Sequence, residues 1–89
     1  MKAIITVVGK DRVGIIAGVC TYLADSKINI LDISQTIIKG YFNMIMIVDM
    51  EKTEKALELV SDELKDLGEK IGVTITIQHE GIFNSMHRI

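Results

Sequence analysis

Phe42-Asn43-Met44-Ile45-Met46-Ile47-Val48-Asp49-Met50 sets Phe42, Met44, Met46, Val48 and Met50 in alternation with Asn43, Ile45, Ile47 and Asp49, the period of a β-strand with both faces largely apolar. From Thr53 the period changes. Leu57, Val60, Leu64, Leu67 and Ile71 step by 3, 4, 3 and 4 while Glu, Lys and Asp fill the gaps, which predicts an amphipathic helix with one face in solvent. Gly72 suits its C-terminal stop, because glycine tolerates the left-handed conformation that ends many helices. Val73, Ile75 and Ile77 alternating with Thr74, Thr76 and Gln78 then predict a further strand.

Working back towards the N-terminus, Asn29 to Ile38 reads as a strand with Ile28, Ile30, Ser34, Thr36 and Ile38 on one face and Leu31, Ile33 and Ile37 on the other. Lys39-Gly40 turns it into a hairpin with the strand that begins at Phe42. Val13, Ile16, Ala17, Val19, Cys20 and Leu23 recur at helical spacing and predict a helix ending near Ser26, with Asp11 as its N-cap. Lys2 to Val8 is β-branched and almost wholly apolar, as a strand buried on both faces should be. The order strand, helix, strand, strand, helix, strand with right-handed crossovers predicts an α+β, ferredoxin-like fold: a four-stranded antiparallel sheet with both helices on one face. A single domain spans 1–89, with a core at 1–79 and a tail at 80–89 whose Ile82, Phe83, Met86 and Ile89 should pack on the domain or on a partner. Helices on one face cannot cover Leu31, Ile33, Ile37, Ile45 and Ile47 together, so the chain is expected to self-associate as a homodimer.

Composition supports one small domain. For 9.9 kDa, area scaling gives burial of about 64% of the unfolded surface, enough to fold without staples. The 16 Ile, 7 Val and 6 Leu make the core branched-aliphatic. A lone Cys20 rules out an intramolecular disulfide framework, CxxC redox chemistry and zinc ribbons, and fits a reducing cytoplasm. A net charge of -2 gives no general attraction to nucleic acid or anionic membrane, and the apolar run after Met1 stops at Gly9, too short for a signal or a membrane span. A cytoplasmic location is therefore expected, without nucleic-acid or membrane partners.

Chemistry-bearing residues are sparse. Metal transfer from the first strand-to-helix loop would need paired thiolates, and that loop has none; His79 and His87 stand eight apart, which is not ligand spacing on a helix. RNA recognition would call for aromatics on the inner strands, where only Phe42 occurs. An acyl-phosphate hydrolase would use an Arg in the first loop to grip phosphate and an Asn to position water, but Lys10 and Arg12 read first as solvated loop charges and Asn43 as the start of a strand. Cys20 and the Met44, Met46, Met50 row read as packing groups. No catalytic residue, metal or cofactor is expected. The loop Gly9-Lys10-Asp11-Arg12-Val13-Gly14 lacks the spacing of a phosphate loop, and Gly14 either allows close helix packing or leaves room for a ligand at the helix start.

Val7-Val8-Gly9-Lys10-Asp11-Arg12-Val13-Gly14-Ile15-Ile16-Ala17, with Asn29-Ile30-Leu31-Asp32-Ile33-Ser34-Gln35 and the tail Ile82 to Ile89, resembles the ACT domain, a small regulatory module of amino-acid metabolism. The resemblance covers the whole chain and is strongest to short stand-alone bacterial and archaeal ACT proteins; related segments occur in formyltetrahydrofolate deformylase and the glycine cleavage system repressor. It implies pairing of domains into a joint sheet and binding of a small effector, typically an amino acid, at the paired interface. Carried over residue by residue, it implies a ligand site made by Asp11, Arg12, Val13, Gly14 and Ile15 with Asn29 and Ile30 as the opposing wall, and Asp32 and Gln35 as weaker candidates. With no enzyme or DNA-binding domain attached, the expected output is recognition by another protein. The rival reading is a ligand-free interaction module that uses its sheet edge or tail.

Overall fold

A computed structural model describes residues 1–81. The elements are β1 (Lys2–Lys10), α1 (Ile15–Asp25), β2 (Asn29–Ile38), β3 (Tyr41–Asp49), α2 (Leu57–Ile71) and β4 (Val73–His79). They form an antiparallel sheet in the order β2-β3-β1-β4. This is the ferredoxin-like arrangement expected from the sequence. The tail from 82 onwards lies outside the described residues.

The register explains the core. Ala3, Ile5 and Val7 of β1 face the helices, beside Val48, Met46 and Met44 of β3, and Ile75 and Ile77 continue the same rows on β4. All are buried, and Ile15, Val19 and Leu23 of α1 and Val60 and Leu64 of α2 close over them at four-residue spacing. The methionine row fills this interior, as expected of a packing role. Helix α2 starts at Leu57, the first residue of the 3, 4, 3, 4 series, and Gly72 ends it with φ 81° and its N–H bonded to the Gly68 carbonyl.

Two local expectations change. Helix α1 begins at Ile15 with Gly14, not Asp11, at its N-cap, and no side chain caps it. The helix phase is thereby set by Ile15, so Val13 stands outside it and Ile16 faces solvent. On β2 a bulge between Ile30 and Asp32 leaves Leu31 unpaired and reverses the alternation, since strand periodicity is two and one extra residue exchanges the faces. Ile30, Ile33 and Ile37 consequently share the helix side, opposite Val48, Met46 and Phe42, while Ser34, Thr36 and Ile38 face the open side. Neither helix reaches far over this edge strand, so Leu31, Ile33, Ile37 and Ile38 are exposed by 45%, 41%, 52% and 62%.

A polar clasp joins the end of α1 to the segment before α2. Lys55 Nζ donates to Glu63 Oε1 at 2.7 Å and to Ser26 Oγ at 3.1 Å, Tyr22 Oη donates to the same Glu63 oxygen at 2.8 Å, and the Lys55 ammonium lies 5.0 Å from the Tyr22 ring centroid. The hydrogen bond from Lys55, then that from Tyr22, holds the Glu63 carboxyl below its ordinary value, and the same pairing raises Lys55. Desolvation is the main reason the Tyr22 phenol is raised.

Two stability measurements follow. At Gly68 an added Cβ would lie 2.6 Å from the Val73 carbonyl oxygen, a backbone atom that cannot swing aside. Alanine gains about 1 kcal/mol over glycine in a helix interior, but overpacking of this kind costs about 1–3 kcal/mol, at the upper end against backbone. Gly68→Ala should therefore lower unfolding stability in urea by about 2 kcal/mol. The clasp sets a pH dependence: a lowered carboxyl stabilises the fold above its unfolded value, near 4.5, and that contribution fades as pH falls through the folded value. Urea midpoints measured from pH 7 down to pH ~2 should fall less steeply for Glu63→Gln than for the native chain.

Candidate functional site

The loop from Gly9 to Gly14 is held at three points. At Gly9 a Cβ would meet Val73 Cγ1 at 2.9 Å and the Gly72 carbonyl at 3.2 Å, so only glycine lets β1 lie this close to the start of β4. The Asp11 N–H donates to the Gly40 carbonyl at 2.8 Å, tying the loop to the tip of the β2–β3 hairpin. Arg12 lays its guanidinium over Gly72, where a Cβ would meet Cζ and Nη1 at 3.0 Å. A cation there faces the negative end of the α2 dipole. The hairpin tip is rigid in its own right, because Lys39 (φ 51°) and Gly40 (φ 80°) both adopt the left-handed conformation of a two-residue type I′ turn.

Past these anchors the loop opens to solvent. Val13 is wholly exposed, at 104%. Gly14 has φ +93° with nothing within 4 Å of a Cβ placed on it. Its glycine therefore serves the backbone turn and does not admit a packed neighbour, so the close-packing role is not the one it has here. The first turn of α1 has no side-chain cap and no acidic residue, so amide N–H groups of Ile15, Ile16 and Ala17 point towards the space above Val13 and Gly14. Asp11, Arg12, Val13, Gly14 and Ile15 are thus adjacent, but they do different work: the Asp11 N–H and the Arg12 guanidinium hold the loop, Ile15 enters the core at 2% exposure, and Val13, Gly14, the helix amides and the exposed Asp11 side chain face outward.

Asn29 and Ile30 lie at the other end of the sheet. Asn29 pairs with Asp49 and Asp49 with Lys2, whereas Gly9 pairs with Phe42. Seven residues of strand, about 23 Å at ~3.3 Å per residue, separate them within one chain. Asn29 borders a cleft of about 530 Å³ lined by Lys27, Ile28, Asn29, Asp49, Glu51 and Lys52. The sequence gives no sign of Lys27, Asp49, Glu51 and Lys52 as neighbours of Asn29; the pairing of β2 with β3, Asn29 with Asp49, brings the two segments together, and nothing in their composition signals it. Asp32 and Gln35 face opposite sides of β2, opposite Ile47 and Met44 respectively.

The residues named for the hydrolase alternative lie on different parts of the surface. Arg12 rests on Gly72, and Asn43 faces the open side of the sheet between Val8 and Thr36. Cys20 is half-buried against the core. Among the described residues no group of three His, Cys, Asp or Glu is placed to hold a metal ion, and no helix is long and apolar enough to cross a membrane.

The fold and loop have clear relatives. A family model described as ACT domain matches residues 2–78. A UPF0237 protein of Clostridium acetobutylicum is 61% identical over 89 residues, covering all of both chains. An ACT domain protein from Streptococcus pneumoniae superposes with a TM-score of 0.83 at 43% identity, covering 93% of each chain. A formyltetrahydrofolate deformylase from Pseudomonas syringae shares the fold, with a TM-score of 0.80 at 22% identity, over 88% of this chain and 27% of its own. The strand order, the glycine-bracketed loop and full-length identity to these small proteins lead to one assignment: the chain belongs to the ACT domain family.

Proposed function

We propose that this protein is a non-enzymatic, cytoplasmic regulatory module that binds a small effector, an amino acid, as a homodimer. The observation that carries the reading is the start of α1, where uncapped amides follow a glycine with open space above it. Such amides, at the positive end of the helix dipole, suit a ligand carboxylate. An ammonium group then needs an oxygen acceptor, and the β2 start of a second copy provides Asn29 and its neighbours. The 23 Å separation within one chain is the reason two copies are invoked.

The exposed surface favours the same assembly. Val13, Ile16 and Ala17 line the outward face of the α1 start, and Ile33 and Ile37 extend an apolar row to the unpaired edge of β2. An uncovered apolar edge strand invites pairing with another chain. A ligand that bridges the copies would favour one dimer geometry, and that geometry would be read by a protein partner. The exposed edge also supports the rival in which β2 docks a partner directly without a small ligand.

Thermal-shift screening against the proteinogenic amino acids separates these readings. A ligand at 100 times its Kd adds about 2.7 kcal/mol to native-state stability, so Tm should rise saturably with one of them. Val13→Glu, placed at a position wholly exposed in the single chain, should abolish that rise in protein that circular dichroism shows to be folded. Ile37→Lys should convert the dimer to monomer in light scattering. A flat screen on folded, dimeric protein would transfer the function to the β2 edge alone.

A further inference from the structure

The cleft at the β2 end carries information about which amino acid is taken. One wall is Lys27, Ile28 and Asn29, the other Asp49, Glu51 and Lys52, with buried Ile28 as apolar floor. Both walls have fixed backbones. On the first, Lys27 N–H bonds to the Ala24 carbonyl and Ile28 N–H to the Leu23 carbonyl, the paired bonds of a Schellman ending, with Lys27 in the left-handed conformation at φ 59°. On the second, Met50 N–H bonds to the Met1 carbonyl at 2.8 Å and Glu51 N–H to Asp49 Oδ1 at 3.0 Å. The bond from Lys55 Nζ to Ser26 Oγ ties the segments leading to the two walls.

The charges on this frame are not balanced internally. Asp49 is engaged by the Glu51 amide and lies 3.9 Å from the Met1 amino group. The Lys27 and Lys52 ammoniums and the Glu51 carboxylate make no hydrogen bond or ion pair with any described residue. Among the described residues, two cations and one anion without a hydrogen-bond or ion-pair partner thus border a preformed concavity large enough for a small metabolite, with Asp25 and Glu54 lining the adjoining hollow that Lys27 shares.

We propose that the effector is an acidic amino acid, aspartate or glutamate in class, whose side-chain carboxylate is held by Lys27 and Lys52 and whose ammonium is held by Glu51. This rests on the preceding reading, in which the α-carboxylate meets the α1 amides of a second copy. A neutral side chain leaves both lysines uncompensated, and a basic one adds a third cation beside them.

The experiment is isothermal titration of the full chain with L-glutamate, L-aspartate, L-glutamine and L-lysine at matched ionic strength. Either acidic amino acid should bind, with glutamine at least about tenfold weaker than glutamate, the scale of one lost hydrogen bond to a charged group. Lys27→Gly and Lys52→Gln should each weaken binding of the acid by about tenfold and erode its preference over glutamine. Lys27→Gly is the decisive variant, because glycine adopts φ 59° freely and the protein should melt no lower than the native chain. Binding of a neutral or basic amino acid with Val13→Glu sensitivity and no response to either lysine substitution overturns the acidic class and leaves the sensor reading intact. The same holds if an acid binds and both lysine variants bind it unchanged. Absence of binding by any of the four, with thermal shift flat across all amino acids, overturns both.

Discussion

Val73 sits where α2, β1 and β4 meet, and two glycines make its position possible. A side chain at Gly68 would strike its carbonyl oxygen and one at Gly9 its Cγ1. Because both are absent, α2 lies down on the first residues of β4 while β1 runs alongside at full sheet spacing. That contact fixes where α2 ends and therefore where Gly72 presents its backbone to Arg12. The loop that follows Lys10 is built on this platform, with Asp11 fastened to Gly40 on the far side. A rigid base with an open rim results: Val13 and Gly14 project beyond the anchors, and the α1 amides lie behind them. Shifting α2 away from β4 would move Gly72, release Arg12 and disturb the loop without touching any outward-facing residue.

Regular periodicity made most of the fold legible. The 3, 4, 3, 4 spacing from Leu57 to Ile71, the alternation of β3 and β4 and the Lys39-Gly40 turn all describe local physics that the folded chain obeys. Less legible were places where a regular pattern is interrupted without a sequence marker. Leu31 is as apolar as its neighbours, so nothing distinguishes the unpaired residue of the bulge, yet that residue decides which side of the sheet Ile33 and Ile37 take. Val13 similarly continues the apolar spacing of α1, but Gly14 takes φ +93° and the helix starts after it, which puts Val13 in solvent. Both errors concern residues that end up apolar and exposed, the type of position where local pattern and solitary-chain burial disagree.

For the candidate site, the loop residues were identifiable by resemblance, whereas their division into anchors and outward-facing groups was not. Arg12 and Asp11 carry the charges that suggest ligand contact, and the structure employs the Arg12 guanidinium and the Asp11 N–H to hold the loop in place. Val13 and Gly14 have no chemical functionality in their side chains, although the Asp11 carboxylate beside them is also exposed. Under the proposed function, recognition at this end would draw on backbone amides, which suit the carboxylate common to all amino acids.

In the proposed dimer, discrimination would come from the far end of the sheet, where Lys27, Glu51 and Lys52 border the cleft. A backbone-lined loop and a charge-lined cleft, 23 Å apart in one chain by strand geometry, are complementary in what each can recognise. Separation of the two also favours regulation. If one copy supplied both parts, binding would stabilise a monomer; if each copy supplies one, the ligand's free energy is available only in the paired state. A ligand shifts an equilibrium by no more than its differential affinity for the two states. With two symmetry-related sites per dimer, occupancy of both would double that difference, so even modest affinity at each site becomes a substantial bias towards one arrangement of the β2 edges. The exposed Ile33 and Ile37 would be covered or presented according to that arrangement, which gives a surface for another protein to read.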